Sequence, residues 1–338
     1  MRISTSCLSF VYAGSLAVAA LQAQAPALRQ IGAISVEGVN GEFDHFAIDL
    51  AHRRLYLAAE DQKTVEVFDL SSNKHIDSIR LFQRPHGLIF IPGTSRLIVA
   101  DGGDGTCKFI DTDPPRLATK LKTALRADAV TYDAATQTGF VANGGVVAKM
   151  DYSLVTAFNT ATAQLNGEIK LESKILEAMA IEKQTSRLFI NLMDKNNVTV
   201  LDRVKREILA VWPLPAEQPS AMAFDEPRQR LFVACRKPGR LVVLNTATGK
   251  PVTDLPCIGH ADDAFYDPAT QRIYISGGNG AVSVYKQHSA DQYSLEQTVS
   301  TGSGAKTSLF VPELKQLFVA IPAGPGRTAQ VLIFSTAP

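Results

Sequence analysis

One phrase recurs seven times along this chain, and its spacing constrains the fold more than anything else in it. The recurring marker is a β-type tetrad: Arg54-Leu55-Tyr56-Leu57, Arg96-Leu97-Ile98-Val99, Thr138-Gly139-Phe140-Val141, Arg187-Leu188-Phe189-Ile190, Arg230-Leu231-Phe232-Val233, Arg272-Ile273-Tyr274-Ile275 and Gln316-Leu317-Phe318-Val319. Successive markers are 42, 42, 49, 43, 42 and 44 residues apart. A six-residue turn rich in Asp, Pro, Gly, Thr and Ser leads into each tetrad, and those residues form turns for known local reasons. After each tetrad come a polar loop and a second apolar run, as at residues 65–68, 241–244 and 282–285. No stretch keeps a long 3.6-residue period, so almost no helix is expected. A period near 40 made of β segments fits a ring in which each repeat is one four-stranded blade. The expected fold is all-β: a seven-bladed β-propeller of four-stranded antiparallel blades with a WD40-like period.

The two ends of the chain complement each other. The seventh repeat has strands near 308–310, 317–320 and 331–335, then stops before a fourth. Residues 28–36 (LRQIGAISV) form a strand with no repeat of its own. The expectation is that this N-terminal strand closes the last blade and covers an edge that would otherwise be exposed.

Residues 1–25 read as a secretory signal peptide. Arg2 supplies the positive start, residues 7–21 an apolar run too short to span a bilayer comfortably, and Ala23-Gln24-Ala25 the small residues of a cleavage site. Residues 26–338 then form a single propeller domain with no transmembrane segment, exported to the periplasm or beyond and expected as a monomer. Apolar residues make up 46% of the chain, charged residues 20%, and the net charge is +1, which gives nucleic acid no basic excess to recognise. Export makes the cysteines informative. Cys107, Cys235 and Cys257 remain after cleavage, an odd number, so at least one is unpaired. Cys235 and Cys257 share a repeat and can pair, but burial of all three as small apolar side chains is preferred.

The uniform turn length numbers one rim of the ring. Antiparallel order puts the start of each first strand and the loop after each second strand at the same end. Eleven residues before the second residue of each tetrad stand Asp44, His86, Asp128, Glu177, Ser220, Asp262 and Lys306, all polar or ionisable. His45 and Asp263 flank this row, and His260 lies just before Asp262. The positions two and four further on are mostly large and apolar, as Phe46, Leu88, Val130, Met179 and Met222 show, and are expected to pack the blades. The loops after the second strands add Glu60, Asp61, Asp101, Asp104, Asn143, Asn191, Asp194, Arg236 and Asn279. The longest of these loops, residues 143–153, holds the extra residues of the third repeat.

Converging carboxylates need a cation, basic neighbours or solvent. Asp128, Glu177 and Asp262 are candidate ligands for a divalent ion such as Ca²⁺, Mg²⁺ or Zn²⁺, and His86 or His45 for a general acid or base. The other option is a hydrated mouth neutralised by Arg84, Arg126, Arg236 and Lys306. There is no HExxH, paired CxxC or EF-hand loop. Gly102-Gly103-Asp104-Gly105 sits between strands and is no phosphate cradle. Ser303 lacks the glycine pattern of a nucleophile elbow.

The phrases RLYLAAEDQKTVEVFDLSSNKHIDSI (54–79), RLFVACRKPGRLVVLNTATGKPV (230–252) and RIYISGGNGAVSVY (272–285) resemble the YVTN/YncE-like group of secreted bacterial seven-bladed propellers, with LYLA, LFVA and IYIS standing where YVTN would. The resemblance covers nearly the whole mature chain. A polar rim without a recognisable catalytic constellation points to an exported binding or scaffold protein that offers its rim to a small ligand or a protein partner. Propellers of similar architecture include metal-dependent lactonases and streptogramin lyases, so a metal-dependent hydrolase or lyase at the same rim is the alternative. Fold alone does not decide between them.

Overall fold

The computed structural model describes residues 26–336, so the expected leader lies outside the described residues. Seven four-stranded antiparallel sheets follow one another, six of them written inner to outer in unbroken chain order and the seventh taking its outer strand from the N-terminus. The first blade is Phe43–Asp49, Arg54–Ala59, Thr64–Asp69 and Lys74–Ile79. Every marker tetrad falls on the second strand of its blade. Among the described residues, helix is confined to two single 3₁₀ turns, Met193–Lys195 and Pro312–Leu314.

Local chemistry explains the repeated turn. Asp49 Oδ1 accepts the N–H groups of Ala51 and His52, and Asp133, Asp225 and Asp267 each accept one N–H of their own turns, from Ala135, Arg228 and Ala269. The residue just before the second strand is left-handed in five blades: Arg53, Gln137, Gln229, Gln271 and Lys315, with φ between 51° and 54°. A left-handed residue closing a tight turn reverses the chain into the antiparallel partner.

Packing is between blades. Each of seven apolar clusters bridges one pair of neighbours. Phe109 and Phe158 meet edge-on across blades two and three at 5.8 Å, and Phe189 packs on Phe224 across blades four and five at 5.3 Å. Burying a side chain of this size contributes roughly 1.5–3 kcal/mol. Gly139 replaces the marker leucine in the third blade because the Phe158 ring fills its space: a Cβ there would lie 2.3 Å from the ring.

Leu28–Val36 is the outer strand of the seventh blade, running antiparallel to Ala329–Thr336 from Leu28↔Thr336 to Val36↔Ala329. Leu28 is also tied to the sixth blade by paired bonds with the Gln297 amide. Ile34 and Val36 are buried against Phe43, Leu55 and Phe318, so the N-terminal strand packs the last blade onto the first. Cys107, Cys235 and Cys257 are all free thiols, the first two fully buried. Trp212 lies on the outer strand of the fourth blade and packs against Phe189.

Candidate functional site: the charged channel mouth

The first strand of most blades is not regular where it reaches the rim. In the first blade Phe43 pairs with Ala59 and Phe46 with Leu57, so Asp44 and His45 together oppose Ala58. The same shift frees His86 and Gly87, then Glu177 and Ala178. Single-residue shifts fall at Ser220 and Asp262. A bulge at a sheet end re-aims side chains, and here it turns the rim residues toward the axis.

All seven row residues (Asp44, His86, Asp128, Glu177, Ser220, Asp262 and Lys306) line one cavity of about 370 Å³ at the channel mouth. His45 lines it too. Asp263 does not: it stands one step further down, where Phe46, Leu88, Val130, Met179 and Met222 line a second cavity of about 200 Å³. Those apolar side chains therefore face the channel as well as the blade interfaces.

The mouth is a chain of ion pairs. His86 Nδ1 lies 2.6 Å from Asp44 Oδ2. His45 Nδ1 faces Asp263 at 3.2 Å and its Nε2 faces Asp44 at 3.4 Å. Arg84 holds Glu60 at 2.8 Å. Arg126 Nη2 sits between Glu177 at 3.1 Å and Asp128 at 3.2 Å. Arg236 donates to Asp262 at 2.5 Å, and Lys306 lies 2.9 Å from Glu42 and 3.8 Å from Asp262.

These pairs set the protonation states. Burial works against the charge on His86, but the Asp44 hydrogen bond and the charges of Asp128, Asp44 and Glu60 outweigh it and lift its pKa to about 9. His45 is likewise raised: the burial cost is overcome by Asp44 and Asp263. Burial opposes ionisation of Asp44 as well, yet His45 and His86 hold its carboxyl well below the usual range. Glu177 goes the other way, to about 7, through burial and the nearby Asp128 charge, with Arg126 compensating only in part. Burial, followed by the opposing pull of Lys306 and the push of Asp44, leaves Asp262 at about 6.

The expected ligand set of Asp128, Glu177 and Asp262 does not gather. Among the described residues, the groups whose donor atoms all lie within 4.8 Å of one another are Asp44–His45–Asp128 and Asp44–Glu60–His86. The ligand geometry centres on Asp44, because the bulge brings it beside both histidines.

Most carboxylates and amides expected from the loops after the second strands turn away from the mouth. Asp101 accepts the N–H groups of Gln83, Arg84 and Gly103 and pairs with Lys108 at 2.6 Å. Asp104 also pairs with Lys108, and Asp194 accepts from Ser173, Lys174 and Ile175. Asn143 bonds Thr156 and the N–H of Ala124. Asp101, Asn143 and Asp194 thus each tie their loop to the loop leading into the first strand of the same blade, since a buried loop N–H left without an acceptor is costly. Glu60, Arg236, Gly102, Gly103 and Val147 are what these loops give the cavity.

Glu42 and the apolar pair Leu125 and Val147 also line the cavity and were absent from the expected rim. A signal for Glu42 exists: it precedes Asp44 by two residues, as Arg84 precedes His86 and Arg126 precedes Asp128. A second row read at that offset would have found it.

No protein-family profile matches this chain, and no curated protein matches it in sequence. In three dimensions, 1700 solved chains match, a breadth that ties the fold to no single activity. One of them, from a structure described as "Crystal Structure of Mitotic Checkpoint Complex", is similar with a TM-score of 0.77 and 12% identity, over 99% of this chain and 100% of that one. At that identity the likeness is one of fold: the chain is a seven-bladed β-propeller whose seven polar row residues share one mouth.

Proposed function

We propose that this chain is an exported binding module of the YVTN/YncE-like kind, presenting its channel mouth to a small ligand or a protein partner in the periplasm or outside the cell. One observation carries the proposal. Seven in-register residues, one from each blade, line a single preformed cavity whose charges are already balanced within it. Its size is at the lower end of small-molecule sites. Ion pairs on neighbouring blades hold the side chains in place, so little ordering remains to be done on binding. The leader-like residues 1–25 and the repeat phrases support export.

A metal-dependent hydrolase or lyase is the second proposal, favoured by the two donor clusters that share Asp44. The donor chemistry weighs against it. His86 must give up a proton that Asp44 holds to about pH 9 before it can ligate through that nitrogen.

The test is metal content and thermal shift with Ca²⁺, Mg²⁺, Mn²⁺ and Zn²⁺, on the purified chain and on an Asp128→Ala, His86→Ala double variant. The binding proposal expects no metal-dependent stabilisation of the unaltered chain. Stoichiometric metal that disappears in the double variant would replace it with the enzyme.

A further inference from the structure

The channel mouth is uneven, and the unevenness describes its ligand. On the side of blades one and two the charges are consumed: Asp44 is shared by two histidines, and Glu60 is held by Arg84. On the side of blades three to five, groups remain open. Glu177 accepts through Oε1 alone, leaving Oε2 without a donor among the described residues. Asp128 Oδ1 has only His86 Nδ1, at 4.0 Å. Arg236 spends Nε on Ala261 O and Nη2 on Asp262, while Nη1 makes no bond among the described residues. One open guanidinium edge thus shares this arc with open carboxylate oxygens.

The same arc has room and an apolar lip. The residues following Asp128 and Glu177 are Ala129 and Ala178, both lining the cavity, where the corresponding residue of the first blade is His45. Above them stand Leu125 and Val147, 40% and 52% exposed yet lining the cavity. Val147 is presented by the longest loop of its class, which is tied down by Gly145 N–H to Tyr152 O, Val146 N–H to Lys174 O and Met150 N–H to Gly145 O. A loop braced this way holds an apolar side chain in water at the edge of a charged pocket.

We infer that the mouth takes a small zwitterion with an apolar arm, of the chemical class of a free apolar α-amino acid: its ammonium at Asp128 and Glu177, its carboxylate at Arg236, its arm against Leu125 and Val147. This rests on the mouth being the binding site. A purely anionic head would meet Asp128, Glu177 and Asp262, and a purely cationic one Arg126 and Arg236. Either would leave a desolvated charge beside its own kind, which is costly. A zwitterion satisfies both open edges and keeps the ring neutral.

Calorimetric titration of the full chain with leucine, N-acetyl-leucine, leucinamide and glycine tests this. Leucine should bind, and each blocked derivative at least about tenfold more weakly, because it strands one buried charge. Glycine should also bind more weakly than leucine. Val147→Asp should erase the preference for leucine over glycine, and Glu177→Gln should weaken both. Equal binding of leucine and either blocked derivative would overturn the zwitterion. So would silence from all four probes while a screen finds another small molecule whose binding Glu177→Gln weakens, and that result would leave the mouth as the binding site. Leucine binding unaffected by both Glu177→Gln and Arg236→Gln would instead remove the mouth as the site.

Discussion

His86 Nδ1 stands 2.6 Å from Asp44 Oδ2, which makes one hydrogen-bonded unit of two rim residues 42 positions apart on neighbouring blades. The pair is largely shielded from water and His86 is held protonated to about pH 9, above its ordinary 6.5. The sign follows. A raised folded value adds stability that is fully present below about pH 6.5 and is lost as the pH climbs through 9. The shift corresponds to something on the order of 3 kcal/mol. Asp44→Asn should therefore lower the melting temperature strongly at pH 6 and much less at pH 10. Proton NMR of the imidazoles should show His86 titrating nearer 6.5 in the variant. An equal loss at both pH values would mean that Asp44 acts through packing alone.

Glu177 should behave in the opposite sense. Its folded value of about 7 exceeds its ordinary 4.5. The carboxylate therefore costs stability, from nothing below about pH 4.5 to the full amount above 7. Glu177→Gln should stabilise the chain by about 1–3 kcal/mol at pH 8 and change little at pH 4, read by urea unfolding at each pH. A residue proposed for binding and kept at a cost in stability would fit a stability–function trade-off.

Gly139 and Phe158 occupy one volume. The nearest ring atom would lie 2.3 Å from a Cβ at position 139. Gly139→Ala should destabilise by about 1–3 kcal/mol through overpacking. Adding Phe158→Leu should recover part of that loss, and a double-mutant cycle in denaturant measures the coupling. Additive effects would contradict the shared volume.

Ile34 is 2% exposed at the joint between the last blade and the first. Ile34→Ala should cost about 2–5 kcal/mol in chemical denaturation. Deleting residues 26–36 should cost more, because it uncovers the edge of Ala329–Thr336 as well as the core beneath. An unchanged melting temperature after the deletion would show that the strand does not close the ring.

Much of this architecture was written locally. The tetrads, the Asp-led turns and the unclaimed strand at residues 28–36 are short-range signals, and each falls where it was expected. Because every turn has the same length, the alignment also identified the polar row from Asp44 to Lys306. Asp263 was misplaced for a physical reason: side chains along a strand alternate, and a one-residue bulge at Asp262 moves the next position down the channel. Asp101 and Asp194 were expected at the mouth because their loops are there, but their oxygens satisfy loop N–H groups instead.

Sequence by itself determined the strands, their order, the number of blades and which residue of each blade reaches the rim. All of these follow from local turn chemistry repeated at a constant spacing. Only the tertiary structure decided the partners across the rim: Arg126 between Asp128 and Glu177, Asp44 between two histidines, Val147 above the mouth. Those depend on bulges and on distances of a few ångströms between blades, and charge interactions change steeply over such distances, whereas the repeat spacing does not record them.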